Sequence, residues 1–288
     1  MIRDAQLARR LWSRLEPIHA VTYFSPEPLA ALADAGYKGF WMGYFAGRAA
    51  PMGRVGAEIV FATFYNFSMT HVRRAIPDGW TFAPPSAALE ARQQGSVRAL
   101  QRAFADRELA ASMETAATLA RAAAESAPME GRILFAANRA LPWPEERTAA
   151  LWHAATLLRE HRGDGHVSAL TAAGILGREA NVLQSAAGIV PRAVFAVARH
   201  YDDAEWDSIS ARLVGRGLLD HDGKLTPEGK AIRADVEDRT DALALSAYDA
   251  LDDEQLQRLI DALVPLTRAV IATGDIPEVT PIGERFEV

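Results

Sequence analysis

The chain repeats itself, and nothing else in it constrains the fold as much: whatever the first half builds, the second half builds again in outline. The segment from Ala8, ARRLWSRLEPIHAVTYF, recurs as AALWHAATLLREHRGDGHV, with Leu11-Trp12 answering Leu151-Trp152 and His19 answering His161. LAALADAGYKG then answers VSALTAAGILG at a spacing of 138, and YFAGRAAPMG parallels VLQSAAGIVP. Further on, PDGWTFAPPSAALEAR parallels LDHDGKLTPEGKAIR, and GRILFAANRALPWP parallels GDIPEVTPIG. The identities are few but their order is kept. Two copies are therefore expected, residues 1–140 and 147–288, joined by NRALPWPEER, whose two prolines cannot continue a helix.

Each copy reads mainly as helix. In the second, RTAALWHAATLLREH is apolar at helical spacing, HVSALTAAGI reads as a short helix ended by Gly177, and REANVLQSAAG as another ended by Gly188. DDAEWDSISARLVGRGLL follows, with acidic residues at the end where the helix dipole favours them and Ile209, Leu213 and Val214 on one face. Two extended pieces, LLDHD and KLT, flank the turn pair Asp222-Gly223, and a long helix starts with Thr226 as N-cap and Pro227 at its first position. Helix, helix, helix, small hairpin, helix is the order of a winged helix. The expected fold is mainly α, a duplicated winged-helix architecture with small β-hairpin wings, the wing of the first copy being degenerate.

Composition sets the chemistry available. The 288 residues, 49% hydrophobic, suffice for real cores, and no apolar run reaches the roughly 18 to 20 residues that span a bilayer. The start, MIRDAQLARRLW, lacks the apolar core of a signal peptide, so no membrane partner and a cytoplasmic location are the default expectations. The absence of cysteine removes disulfides, thiolate nucleophiles and thiolate metal sites. Residues 1–150 carry 17 basic and 14 acidic side chains, and residues 151–288 carry 14 and 23, so the acidity is concentrated in the second half.

The residues ISARLVGRGLLDHDGKLTPEGKAIRADVEDRTD resemble the winged part of MarR-type regulators, in which a helix ending in a glycine-leucine pair leads into a wing. The whole chain, including GFWMGYFAGRAAPMG, FYNFS and LREHRGDGHVSAL, resembles an actinobacterial family of helix-turn-helix proteins, a likeness that supplies a fold and a lineage and no activity. The MarR-like resemblance implies that DDAEWDSISARLVGRGLL is the recognition helix. Electrostatics objects: a recognition helix presents its N-terminal residues to a polyanion, and here they are Asp202, Asp203, Glu205 and Asp207. The wing offers Lys224 beside Asp220 and Asp222. DNA binding is therefore not expected through the second copy. The first copy has Arg73 and Arg74 at the equivalent place, but its wing, PDGWTFAPP, carries no basic residue.

The segment LREHRGDGHV, residues 158–167, concentrates ionisable chemistry between apolar runs. Gly163 and Gly165 are expected to break the helix, leaving Arg162, Asp164 and His166 on a turn. On a structural reading, Asp164 caps the next helix, Arg159 pairs with Glu160 or another carboxylate, and the histidines satisfy buried carbonyls. On a functional reading, the turn is the polar wall of a cavity for a small planar or aromatic ligand, with GFWMGYF, Phe64, Tyr65 and Phe67 as its apolar wall. The candidate ligand-binding residues are then His19, Trp41, Tyr44, Phe45, Arg48, Tyr65, Arg159, His161, Arg162 and His166. Gly39, Gly43 and Gly47 recur every four residues, a smooth stripe that admits either another helix or a flat ligand, and Arg48 is placed to hold a carboxylate bidentately.

The function expected is a small-molecule-binding winged-helix protein with a degenerate DNA-binding face. The alternatives are a MarR-like transcriptional regulator that binds DNA, as a homodimer or through the first copy, and an enzyme using the same cavity. In the enzyme alternative a haem or another metal would be ligated by His19, His161 or His166, although no metal motif is present and no metal site is expected.

Overall fold

The computed structural model describes residues 3–283, and its regular structure is helical. The chain enters through α1 (Ala5–Phe24), whose first turn is capped by Asp4 accepting the Leu7 N–H at 3.0 Å. Next come α2 (Pro26–Asp34), α3 (Gly39–Ala49), α4 (Ala57–Phe64), α5 (Met69–Arg73), α6 (Gly79–Phe82), α7 (Pro85–Ala103), α8 (Ala110–Ser126) and α9 (Ile133–Arg139). The proline-bearing stretch ends at Arg147. Beyond it lie α10 (Arg147–Ala172), α11 (Gly177–Ala186), α12 (Arg192–Arg199), α13 (Asp203–Gly215), α14 (Pro227–Leu245) and α15 (Asp253–Ala272).

The expected β-hairpin wings are not there. Among the described residues no strand or sheet forms, and where the second wing is expected there is only an isolated antiparallel bridge between Leu219 and Leu225. The Asp220 carboxylate accepts the N–H groups of Asp222 at 2.9 Å and Lys224 at 2.8 Å, closing the turn on itself. With Thr226 already capping α14 through the Gly229 N–H, no length of chain is left for a ladder. The stretch expected to be the degenerate wing of the first half holds the helical turn α6, and Pro84 and Pro85 behind it have no N–H to offer a partner strand.

The second correction concerns Gly163 and Gly165, which do not break the helix. α10 runs through both as one helix of 26 residues, so Arg162, Asp164 and His166 lie on a helix and not on a turn. Two interior glycines cost roughly 1 kcal/mol each in helix propensity, and burial of the flanking apolar runs outweighs that. Gly165 has a packing reason: a Cβ there would collide with the guanidinium of Arg132, which donates to the His161 carbonyl. The helix stops at Ala172 instead, where Gly174 takes up φ 65°.

α10 runs through all the packing. Its N-terminal half, with Trp152 and Leu157, shares a core with α1, α8, α15 and the end of α7. Alanine-rich α8 lets helices approach closely through Ala116, Ala120 and Ala123. A second core, with Phe45, Phe64, Phe67 and Trp80, lies among α2 to α7. The last turn of α10, with Ala169 and Leu170, enters a third core under α11 to α14, built on Phe195, Trp206, Ile209 and Leu213. The charged middle of α10 is left between the second and third cores.

Candidate functional site

A cavity of about 1180 Å³ opens there. Its aromatic wall is Phe40, Trp41 and Tyr44 of α3 with Phe64 and Phe67, and Tyr23 adds a ring from α1. The rings meet mostly edge to face, as Trp41 does with Tyr44 at 5.6 Å and with Phe67 at 6.0 Å, the arrangement their quadrupoles favour. The facing wall is α12, through Ala193, Val194, Val197 and Arg199, and α10 supplies the floor through Arg159, Arg162, Asp164 and His166. Segment 277–283 closes one side.

The polar part of the floor is a network. Arg48 holds Glu160 bidentately, with Nε to Oε1 and Nη2 to Oε2 both at 3.0 Å. Arg159 reaches Glu160 at 3.1 Å and Glu16 at 3.4 Å, and the Trp12 indole N–H donates to Glu16 at 3.0 Å. Burial works against the charge on Glu160, but the guanidinium groups of Arg48 and Arg159 outweigh it and hold the carboxyl well below the usual carboxylate range. By the same balance Arg48 and Arg159, desolvated yet paired, are held above the ordinary arginine value. Arg162 lies over the Trp12 ring at 4.3 Å and pairs with Asp241 at 2.9 Å. Asp164 Oδ2 accepts the Phe135 N–H at 2.9 Å in the first turn of α9. Desolvation pushes that carboxyl up to about 7, even though the Phe135 hydrogen bond favours its charge.

Of the residues expected to bind a ligand, Trp41, Tyr44, Arg48, Arg159, Arg162 and His166 line this cavity together. The other four are used elsewhere. His19 is buried, its ring nitrogens 3.0 Å from the Thr156 hydroxyl and 3.1 Å from the Tyr23 hydroxyl. His161 is fully buried edge-on to Phe135, and desolvation, with Arg132 nearby, pushes it down to about 3. Phe45 packs in the second core, stacked on Phe64. Tyr65 links α4 to α11: its hydroxyl donates to the Ile175 carbonyl at 2.8 Å. Its backbone, at φ 64° and ψ −50°, makes a strained three-residue turn in which Asn66 N–H donates to the Phe64 carbonyl at 2.7 Å. The Tyr65 carbonyl sits against Gly177, leaving no room for a Cβ there. The glycine stripe of α3 serves packing as well, since Gly43 and Gly47 face Leu32 of α2.

Sequence reading missed two residues. Asp164, expected to cap a helix starting just after it, instead lies within α10 and accepts the Phe135 N–H at the start of α9. Arg199, the last residue of α12, is buried over the Phe67 ring at 4.4 Å, and nothing in VFAVARH marks it. Among the described residues no group of three or more His, Asp or Glu side chains is arranged to hold a metal ion.

Beside the cavity, α12 leads into α13 through a short turn. His200 makes the turn in the left-handed conformation at φ 53°, and Asp202 caps α13 by accepting the Glu205 N–H at 2.7 Å. The acidic first turn of α13 is partly neutralised from its own half: Arg192 pairs with Asp203 at 2.6 Å, and Arg178 pairs with Glu205.

No described helix is long and apolar enough to cross a membrane. No curated protein and no solved structure matches the chain. One family model does, over residues 8–277, which takes in both the aromatic wall and helices α12 and α13: the chain belongs to the helix-turn-helix family.

Proposed function

We propose that this helix-turn-helix protein binds a small planar or aromatic molecule in the cavity between α3, α10 and α12. The observation that carries the reading is the cavity itself: about 1180 Å³, with an aromatic wall that offers apolar contact and a charged floor that can fix an occupant's orientation. Its position gives binding a consequence. The cavity is also lined by α12, whose last residue, Arg199, precedes the turn into α13, so an occupant bears on α12, which with α13 is read here as the helix-turn-helix pair. The neutral fluorophore N-phenyl-1-naphthylamine tests this. It should bind saturably, with enhanced emission, and Trp41→Ala should weaken it by about tenfold or more, the size expected for removal of one buried aromatic contact. Absence of saturable binding would overturn the reading. Mass spectrometry of what leaves the freshly purified protein on denaturation would identify a resident occupant.

A second reading, a DNA-binding regulator, is favoured by membership of the helix-turn-helix family. Asp202 and Asp207 at the tip of α13 argue against close approach to phosphate, and Arg178 and Arg192 offset part of that. Mobility shift of promoter DNA at moderate salt separates the two readings, and retardation that depends on the occupant would join them.

A further inference from the structure

Among the described residues, one buried arginine of the cavity wall, Arg199, has no carboxylate to balance it. Arg199 is 8% exposed, and none of the described carboxylates forms an ion pair with it. Its Nη1 donates to the neighbouring Ala198 carbonyl at 2.9 Å, and its Nε has no hydrogen-bond partner. The Phe67 ring lies under the guanidinium at 4.4 Å. The carbonyl end of α12 offsets part of the charge, as helix C-termini do. Every other arginine of the floor discussed above is matched: Arg48 and Arg159 by Glu160 and Glu16, Arg162 by Asp241. A buried guanidinium left with open donors is costly to a fold and useful to a site, because its planar fork fits a carboxylate or sulfonate.

The geometry points to an anionic occupant: a planar aromatic acid whose rings lie along Trp41, Tyr44 and Phe67 and whose anionic group is held by Arg199. This rests on the cavity being a binding site and names the class of molecule it takes. Desolvation already pulls Arg199 down to about 10, with Arg48 and Arg159 adding to that, so an arriving anion would restore what burial has taken from the cation.

The test uses N-phenyl-1-naphthylamine as a neutral reporter and displaces it with 2-naphthoate or with 2-naphthamide, which differ in charge and hardly in shape. On the wild-type protein the acid should displace the reporter at a concentration about tenfold or more below that of the amide, the scale of one charge-assisted contact. Arg199→Gln should bring the acid-to-amide ratio, read against the reporter on the same variant, close to one, while Arg199→Lys should keep part of the preference. Failure of the reporter to bind would strike at the cavity reading and not at the choice of ligand class. Reporter binding with acid and amide equivalent would overturn the anionic assignment and leave the cavity standing. A preference that survives Arg199→Gln would overturn the role of Arg199. Should that variant not fold, the wild-type acid-to-amide ratio decides, and equivalence overturns the proposal.

Discussion

Arg48 and Arg199 stand on neighbouring phenyl rings in the same cavity, 4.3 Å from the Phe64 centroid and 4.4 Å from the Phe67 centroid, with the two rings 6.4 Å apart. Both guanidinium groups are desolvated, and they respond in opposite directions. Arg48 has the bidentate Glu160 carboxylate and is pushed above the ordinary arginine value, while Arg199 has no carboxylate partner among the described residues and falls to about 10. Burial and ring contact are common to the two, so the fate of each charge is set by whether the chain supplies an anion. One wall of the cavity is charge-balanced within the protein, and at the other Arg199 has no carboxylate partner among the described residues.

The largest effect should come from breaking the charge-balanced wall. Glu160→Gln would leave Arg48 and Arg159 buried with half their compensation gone, and urea unfolding should show a loss of about 3 to 5 kcal/mol. Because the Glu160 pKa is depressed in the folded protein, its contribution is present above the ordinary value of 4.5 and is lost as pH falls. Wild-type stability should therefore drop on acidification more steeply than that of the variant. A variant as stable as wild type at pH 7 would mean that the pair adds nothing.

Asp164 sharpens the comparison, as a carboxylate that faces the cavity without an arginine of its own. Its folded pKa, about 7, lies above the ordinary 3.8, so its favourable contribution is whole below pH 3.8 and is lost as pH rises towards 7. Asp164→Asn imitates the protonated form and keeps an acceptor for the Phe135 N–H. It should match wild type near pH 4 and exceed it by about 2 kcal/mol at pH 8, read from thermal melts across that range. Parallel curves would show that the carboxyl titrates normally.

The smallest effect should be at the wall that holds Arg199. Arg199→Met keeps the contact with Phe67 and removes an uncompensated buried charge, so stability should rise by about 1 kcal/mol. A loss of several kcal/mol would show that Arg199 is a structural residue.

How far the sequence could carry these conclusions differs by residue. Thr226 and Pro227 opened α14 as their side chains dictate, and the prolines of the linker left 140–146 outside any helix, because caps and missing N–H groups act locally. The pairing of Arg159 with Glu160 was anticipated, and so was a bidentate grip by Arg48, though its carboxylate comes from α10 and not from a ligand. Gly163 and Gly165 were misread because propensity costs about 1 kcal/mol per glycine, less than the packing of a whole helix restores. The wings were misread because turn signals do not reveal that Asp220 takes up the neighbouring donors.

The sequence by itself determined that the chain is mainly helical, that it lacks thiol chemistry, and that aromatic and charged residues are gathered in two segments far apart along it; such properties follow from periodicity and composition, which belong to each stretch alone. Only the tertiary structure decided which charges are balanced. Arg48 finds Glu160 across 112 residues and Arg199 finds no carboxylate among the described residues, and electrostatic energy in a desolvated site depends on separations of a few ångströms that chain order does not encode.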